Sequence, residues 1–237
     1  MLNFCLQSLF REYGWQFLRR VAVPHPVRTA KALLYCGRRD FSGDMITTSD
    51  EEPDRSPGGR RSIVGVGFCL KPIEPPCPSG RANHDCYYLE CLLQSGIQDI
   101  PDCCRQCAIK EIGIMTLQAG ASFYIMTSAK DVLLDVFTPA LNKGRFSSGL
   151  FVLCRYSRQP FAVGLLASGM RGRFFLLERG DCTNYKTWLL ADRGVKDKQT
   201  SISEQNRKII SKLLGNVTNQ PESLKKVTRQ GNILCPE

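Results

Sequence analysis

Histidine is nearly missing from this chain: His25 and His84 are the only two among 237 residues. A three-histidine zinc site is therefore excluded. No apolar run approaches the roughly 18–20 residues that a membrane-spanning helix needs. The short runs at 150–154 and 161–167 read instead as a buried strand and a buried helix face. The start of the chain lacks a compact apolar stretch followed by a small-residue cleavage site, so no secretory signal is read there. Acidic charge is outnumbered, with 22 Asp and Glu against 32 Lys and Arg, a net charge of +10. No nucleic-acid motif frames the basic residues near either end. They read as solvated faces, or as a docking surface for an acidic partner or an anionic membrane surface. No internal repeat is present.

Cysteine is what the chain has. Of twelve cysteines, seven fall between 69 and 107: Cys69, Cys77, Cys86, Cys91, Cys103, Cys104 and Cys107. Without a secretory signal, a reducing, cytoplasmic location is the expectation. There, crowded cysteines hold metals or do redox chemistry more often than they form structural disulfides. Thiolates are also the ligands of soft metals and iron–sulfur clusters.

Hydrophobic periodicity predicts an N-terminal amphipathic helix over 2–21 and a second helix over 27–35, after Pro24 and Pro26. Residues 47–61 carry no apolar side chain and several breakers, and read as a flexible linker. From 62 onward, strand patterns at 63–68, 122–126, 150–153 and 173–177 alternate with helical ones. A helix is expected over 104–118, another capped by Ser128 three residues before Asp131, and a third near 161–168. A last helix opens with Ser201 and Glu204 in capping-box spacing and stops at Gly215. Pro139 should kink or end the second of these. The alternation predicts an α/β fold with a mainly parallel sheet and helical crossovers, plus an N-terminal helical segment and a C-terminal helix. The division is an N-terminal segment at 1–46, the linker at 47–61, a cysteine-rich domain at 62–215 and a basic tail at 216–237.

In a parallel sheet the carboxyl ends of all strands lie on one edge, where ligands bind. Cys69 follows the first strand, Cys154 ends the third, and Cys182 lies in the loop after the fourth. Cys103, Cys104 and Cys107 precede or open a helix that should begin at the same rim, whose amides favour thiolate. Distant cysteines are thus predicted to meet at one pole. Duller readings stand beside this. Cys154 and Cys182 read also as small buried residues, and Cys86 and Cys91 as core packing on a short helix over 85–93. Cys5, Cys36 and Cys235 receive no role. The polar loop holding Arg81, Asn83, His84 and Asp85 either positions a substrate or tunes cluster sulfurs, or is turn chemistry around Pro78 and Gly80.

Other chemistries are weaker. Gly65-Val66-Gly67 follows a strand as a dinucleotide loop does, but Leu70 stands where a third glycine belongs. Ala167-Ser168-Gly169 lacks the first glycine of a nucleophile elbow. The Cys104-x-x-Cys107 pair could be a thioredoxin-like redox pair or half of a zinc knuckle, yet no second tight pair completes a zinc ribbon.

The order of these features resembles the prokaryotic family designated domain of unknown function 116, over about 63–192. The resemblance rests on Phe68-Cys69-Leu70-Lys71 after a strand, Cys77, and Cys104-x-x-Cys107-Ala108-Ile109 opening a helix. Further along come Ala119-Gly120 before Phe123-Tyr124-Ile125, then Val152-Leu153-Cys154 and Gly180-Asp181-Cys182. It implies an iron–sulfur centre. The chain departs from that family at Cys103-Cys104, where regular two-residue spacers are expected, and at Thr127-Ser128, where a glycine pair is.

The leading expectation is an iron–sulfur protein giving redox or electron-transfer support to a partner enzyme. Cys69, Cys77, Cys104 and Cys107 are the first candidates for metal ligands. Cys103, Cys154 and Cys182 are further cofactor-binding candidates, the last two joining a second centre or replacing one of the four. The alternatives are a zinc-stabilised binding or scaffold module, and a thiol oxidoreductase using Cys104 and Cys107.

Overall fold

Four runs of β-branched, aromatic and aliphatic residues set the architecture. They are β2 (Ser62–Gly67), β3 (Ser122–Met126), β4 (Ser148–Leu153) and β5 (Arg171–Leu176). The computed structural model describes residues 12–41, 43, 45–48, 59–94, 100–215 and 227–237. β2, β3 and β4 are buried along almost their whole length, as strands covered on both faces are. β2 pairs in parallel with both β3 and β4, and β4 pairs in parallel with β5. The α/β fold with a mainly parallel sheet is the one that the alternating pattern predicts.

Both flanks of the parallel strands are covered by antiparallel neighbours. β1 (Met45–Thr47) pairs with β5. β6 (Val227–Gln230) and β7 (Ile233–Pro236) form a hairpin, and β7 pairs with β3. Among the described residues the sheet order is β1-β5-β4-β2-β3-β7-β6. The sheet thus extends beyond 62–215 on both sides. The end of the chain, read above as a basic tail, supplies two strands, because Ile233, Leu234 and Cys235 bury against the helices and β3. Thr47 and Thr48, read as linker, belong to the sheet: Thr48 N and Thr48 Oγ1 both donate to the Gly172 carbonyl, at 3.0 and 3.2 Å. Of the rest of the proposed linker, 49–58 lie outside the described residues, and 59–61 form the turn that leads into β2, with the Ser62 amide donating to the Gly59 carbonyl at 2.9 Å.

Alternate side chains on the strands point to opposite faces, and each face meets its own helices. Tyr124, Phe151, Leu153 and Phe174 face one core. That core is covered by α1 (Glu12–Phe17, continued by a π-turn at Leu18–Ala22) and α2 (Pro26–Arg38). Phe123, Ile125, Leu150, Val152 and Phe175 face the other. It is covered by α3 (Tyr87–Gln94) and α4 (Ala108–Gln118). α5 begins at Ala129–Val132, passes through a π-turn at Leu133–Phe137 and ends as Thr138–Lys143 on the first face. α6 (Arg158–Ala167) packs on the same face against α2. α7 (Tyr185–Asp192) lies beyond β5, and α8 (Glu204–Leu214) closes the second face.

Local details follow the sequence with some corrections. Ser128 Oγ accepts from the Asp131 amide at 3.1 Å, as its spacing predicts. Pro139 does not end its helix. It opens the segment that follows the π-turn, where its missing N–H is no loss. The last helix is capped by Ser203, whose Oγ accepts from the Asn206 amide at 3.1 Å. Ser201 is instead held in a bridge with Arg179. The helix expected over 104–118 is two pieces. A single turn at Asp102–Arg105 ends at Gln106, and Cys107, in extended conformation, caps α4. Of the N-terminal helix predicted over 2–21, residues 1–11 lie outside the described residues. Among the described residues, no helix is long and apolar enough to cross a membrane.

Candidate functional site

The carboxyl ends of the four parallel strands surround a cleft of about 120 Å³. β2 delivers Gly67, Phe68 and Cys69 to it, β3 delivers Met126 and Thr127, β4 delivers Leu153 and Cys154, and Leu177 follows β5. The loop after β5 adds Asp181 and Cys182, and the loop after α7 adds Lys196 and Thr200. That volume resembles an engineered apolar cavity that takes up benzene, and the cleft opens to solvent. Three cysteines from distant stretches thus meet at the pole where the topology places ligands: Cys69, Cys154 and Cys182.

Their surroundings differ. Cys154 ends β4 just before α6, with its Sγ 3.1 Å from Ser157 Oγ. A hydrogen bond from the Cys182 thiol pulls Cys154 down to about 6 against the cost of burial, and the Ser157 hydroxyl and amide assist. Cys182 is pushed the other way, first because its proton is committed to Cys154 and then by burial. Lys196 Nζ donates to Cys182 Sγ at 3.7 Å. Burial raises Cys69, and the nearby Thr200 hydroxyl offsets part of this. Thr200 Oγ1 is buried and makes no hydrogen bond of normal geometry.

A second group of thiols neighbours the first. Cys77 sits in the loop after β2, Cys86 precedes α3, Cys103 and Cys104 lie on the single turn, and Cys107 caps α4. Cys103 Sγ and Cys104 Sγ are 3.9 Å apart. Burial pushes Cys86 up to about 12, and the nearby Cys107 and Cys77 add to it. Cys104 is also pushed up to about 12, by burial first and then by Cys103, Cys107 and Cys86. Cys107 is raised by burial, although the Lys110 and Ile109 amides oppose this. The helix amides do act on Cys107 as the sequence predicts, but the net shift of Cys104 and Cys107 is upward. Burial next to other thiols outweighs one turn of amide dipoles.

Lys71 holds this corner together. It is 1% exposed, and its ammonium donates to the Gly80 carbonyl and the Asn83 carbonyl, each at 3.0 Å, and to Asn83 Oδ1. All three of its protons are thereby used on the loop that carries Cys77. Burial lowers Lys71, and Cys77 and Cys86 nearby favour its charge. Arg81 lies between the two thiol groups, near both Cys69 and Cys77. It donates to the Cys69 carbonyl at 3.2 Å and to the Lys196 carbonyl, while its buried Nε has no partner.

The predicted ligand set is thus divided. Cys77, Cys104 and Cys107 stand together with Cys103, whereas Cys69 stands with Cys154 and Cys182. Among the described residues, no three or more His, Cys, Asp or Glu side chains are grouped tightly enough to hold a metal ion. His84 is bonded to the Ile125 carbonyl and to Thr127, and it stacks on Tyr124. Asp85 pairs with Arg229 at 2.6 Å. Asn83, His84 and Asp85 thus tie the loop to Lys71, to β3 and to Arg229. Cys36 and Cys235 are buried in the core on the first face, and Cys5 lies outside the described residues. Sequence reasoning counted Cys86 among the crowded cysteines but not among the ligands, and it missed Lys71, Ser157, Lys196 and Thr200. Ser157 carried a signal, three residues past Cys154 at a helix start. Lys196 and Thr200 carried none, since only the fold brings their loop to the rim. A scan of family models, a search of curated proteins and a search of solved structures each returned no match. The family resemblance noted in the sequence stays an expectation.

Proposed function

We propose that the protein carries an iron–sulfur centre on the thiols of Cys77, Cys86, Cys104 and Cys107, and serves as redox support for a partner protein. The observation that carries this reading is the chain of neighbouring thiols, Cys86 near Cys77 and Cys107, Cys104 near Cys86 and Cys107, with the buried Lys71 beside Cys77 and Cys86. The loop after β2 contributes Cys77 and Cys86, and one turn before α4 contributes Cys104 and Cys107. As free thiols, Cys86, Cys104 and Cys107 are held protonated by burial and by their thiol neighbours. An iron–sulfur core, ligated by thiolates, would turn that cost of ionisation into bonding, and the Lys71 ammonium would compensate the net negative charge of such a centre. The donor set fits in chemistry and in its lack of imidazole. A single zinc ion draws its donors to one point at about 2.3 Å; a multi-iron core spreads its thiolates over its corners, which suits the looser spacing here. When bound, the centre would supply one-electron chemistry. The net charge of +10 makes an acidic surface the complementary partner.

The test is purification without oxygen, with visible absorption, iron, acid-labile sulfide and zinc measured on the same sample. Brown protein with iron and sulfide in similar amounts supports the reading. Colourless protein with stoichiometric zinc, or with no metal after reconstitution with iron and sulfide, overturns it.

A further inference from the structure

The rim cleft holds chemistry that an iron–sulfur centre on the other thiols does not use. Cys154 and Cys182 are neighbours there: Cys182 is buried, and Cys154 packs against the core on the second face. They border open space whose other walls include Phe68, Phe137, Leu153 and Leu177. The two thiols are unequal in place. Cys154 is half-buried at the end of β4, and Cys182 is 4% exposed behind it beside Lys196. Thr200, 3% exposed, lines the same cleft beside Cys69. Trp188, half-buried, also lines the cleft and stacks with Tyr185 at 5.8 Å.

The geometry points to a second site in which Cys154 and Cys182 form a dithiol that exchanges with a disulfide substrate carrying an apolar group that enters the cleft. Cys154 sulfur, as thiolate, attacks one sulfur of the substrate disulfide. The substrate S–S bond breaks and its electron pair leaves on the second sulfur, which takes up the proton that Cys154 gave up. A mixed disulfide joins Cys154 to the remaining half. Cys182 then attacks Cys154 sulfur, its thiolate stabilised by the Lys196 ammonium. The mixed disulfide breaks, and the departing substrate sulfur takes the Cys182 proton. In sum, one substrate disulfide is reduced to two thiols, and Cys154 and Cys182 are oxidised to a disulfide. Ser157 and Lys196 are positioning residues: one sits against the attacking sulfur and the other against the resolving one. The inference does not rest on iron, because none of these residues belongs to the proposed cluster set.

The experiment uses the full chain, reduced and kept anaerobic, with dithiodipyridine as an uncharged aromatic disulfide probe. Thiopyridone release is followed optically, and labelled peptides are identified by mass spectrometry. Wild type should release two equivalents through Cys154 in the fast phase and leave a Cys154–Cys182 crosslink. Cys182→Ser should release one equivalent there and retain the mixed disulfide on Cys154. Oxidised glutathione, polar and charged, should react with Cys154 about tenfold more slowly. If Cys154 is modified no faster than the core thiol Cys36 in wild-type protein, or if no crosslink forms, the inference is wrong. That readout needs no variant to fold. Cys154→Ser should keep full iron, and Cys107→Ser, colourless on the reading above, should keep the exchange. A Cys107→Ser protein that has lost the crosslink would overturn the second site, whereas missing iron in wild type would overturn only the first.

Discussion

The Lys71 ammonium donates at 3.0 Å to the backbone carbonyl of Asn83, twelve positions along the chain. With its bonds to Gly80 and to the Asn83 side chain, this closes the loop that carries Cys77 onto the end of β2. Lys71→Met keeps the apolar stem and deletes all three donors. The expected cost is about 2–4 kcal/mol, since acceptors are left unpaired. Thermal melting should fall by roughly 5–15 °C, and iron content after reconstitution should fall with it. Unchanged melting would mean that water replaces the ammonium at no cost.

Cys154 should react as a thiolate well below the range of an ordinary thiol. Its value is drawn down to about 6, so the thiolate fraction rises as pH passes through that value and is nearly complete by neutrality. Alkylation of Cys154 by iodoacetamide should therefore reach half its maximal rate near pH 6. An unperturbed cysteine would still be climbing above pH 8. Ser157→Ala removes one stabilising donor, so the midpoint should move upward. A midpoint that stays near that of a free thiol in wild type would contradict the hydrogen-bond pattern around Cys154.

Gly180 fixes the turn that presents Asp181 and Cys182. Its φ is +66°, and a Cβ there would stand 2.2 Å from the Gln199 carbonyl oxygen. Gly180→Ala therefore meets backbone strain and a backbone clash together. A loss of about 2–4 kcal/mol is expected, read as a lower urea midpoint with an unchanged slope. If the variant folds, the Cys154–Cys182 crosslink should form more slowly, because the turn that places Cys182 has moved.

Among the cysteines, loss of iron should follow place in the fold rather than burial alone. Cys107→Ser should lose most of the visible absorption. Cys235→Ser should keep it, since Cys235 packs beside Ser122 and Arg145 in the core on the first face. If both variants keep full iron, the ligand assignment fails.

Much of this arrangement was legible from the chain. The apolar runs that became β2 through β5 carry continuous hydrophobic patterns, and parallel strands buried on both faces require them. Once those strands were placed, the meeting of Cys69, Cys154 and Cys182 followed from topology alone. Other features were hidden for identifiable reasons. β1 and β6 are the edge strands and β7 lies just inside one of them; all three are only three or four residues long, so pattern alone does not separate them from loops. The break at Gln106 falls inside an unbroken helical periodicity, and only the extended backbone at Cys107 reveals it. The division of the cysteines into two groups depends on the course of the 77–86 loop, which Lys71 and Arg81 set through contacts that no spacing rule encodes. The pull on Cys154 came from a neighbour 28 positions away, as the numbering of Cys154 and Cys182 shows.

The antiparallel strands on the flanks have a consequence for biogenesis. Thr48 and Gly172, joined where β1 meets β5, are 124 positions apart, and β3 waits for Ile233 and Leu234 to be made. During vectorial synthesis the inner strands would emerge with bare amide rims, open to pairing with neighbouring nascent chains. Chaperone dependence during translation, and clumping of any fragment that stops short of β7, would be the physiological signature of such late closure.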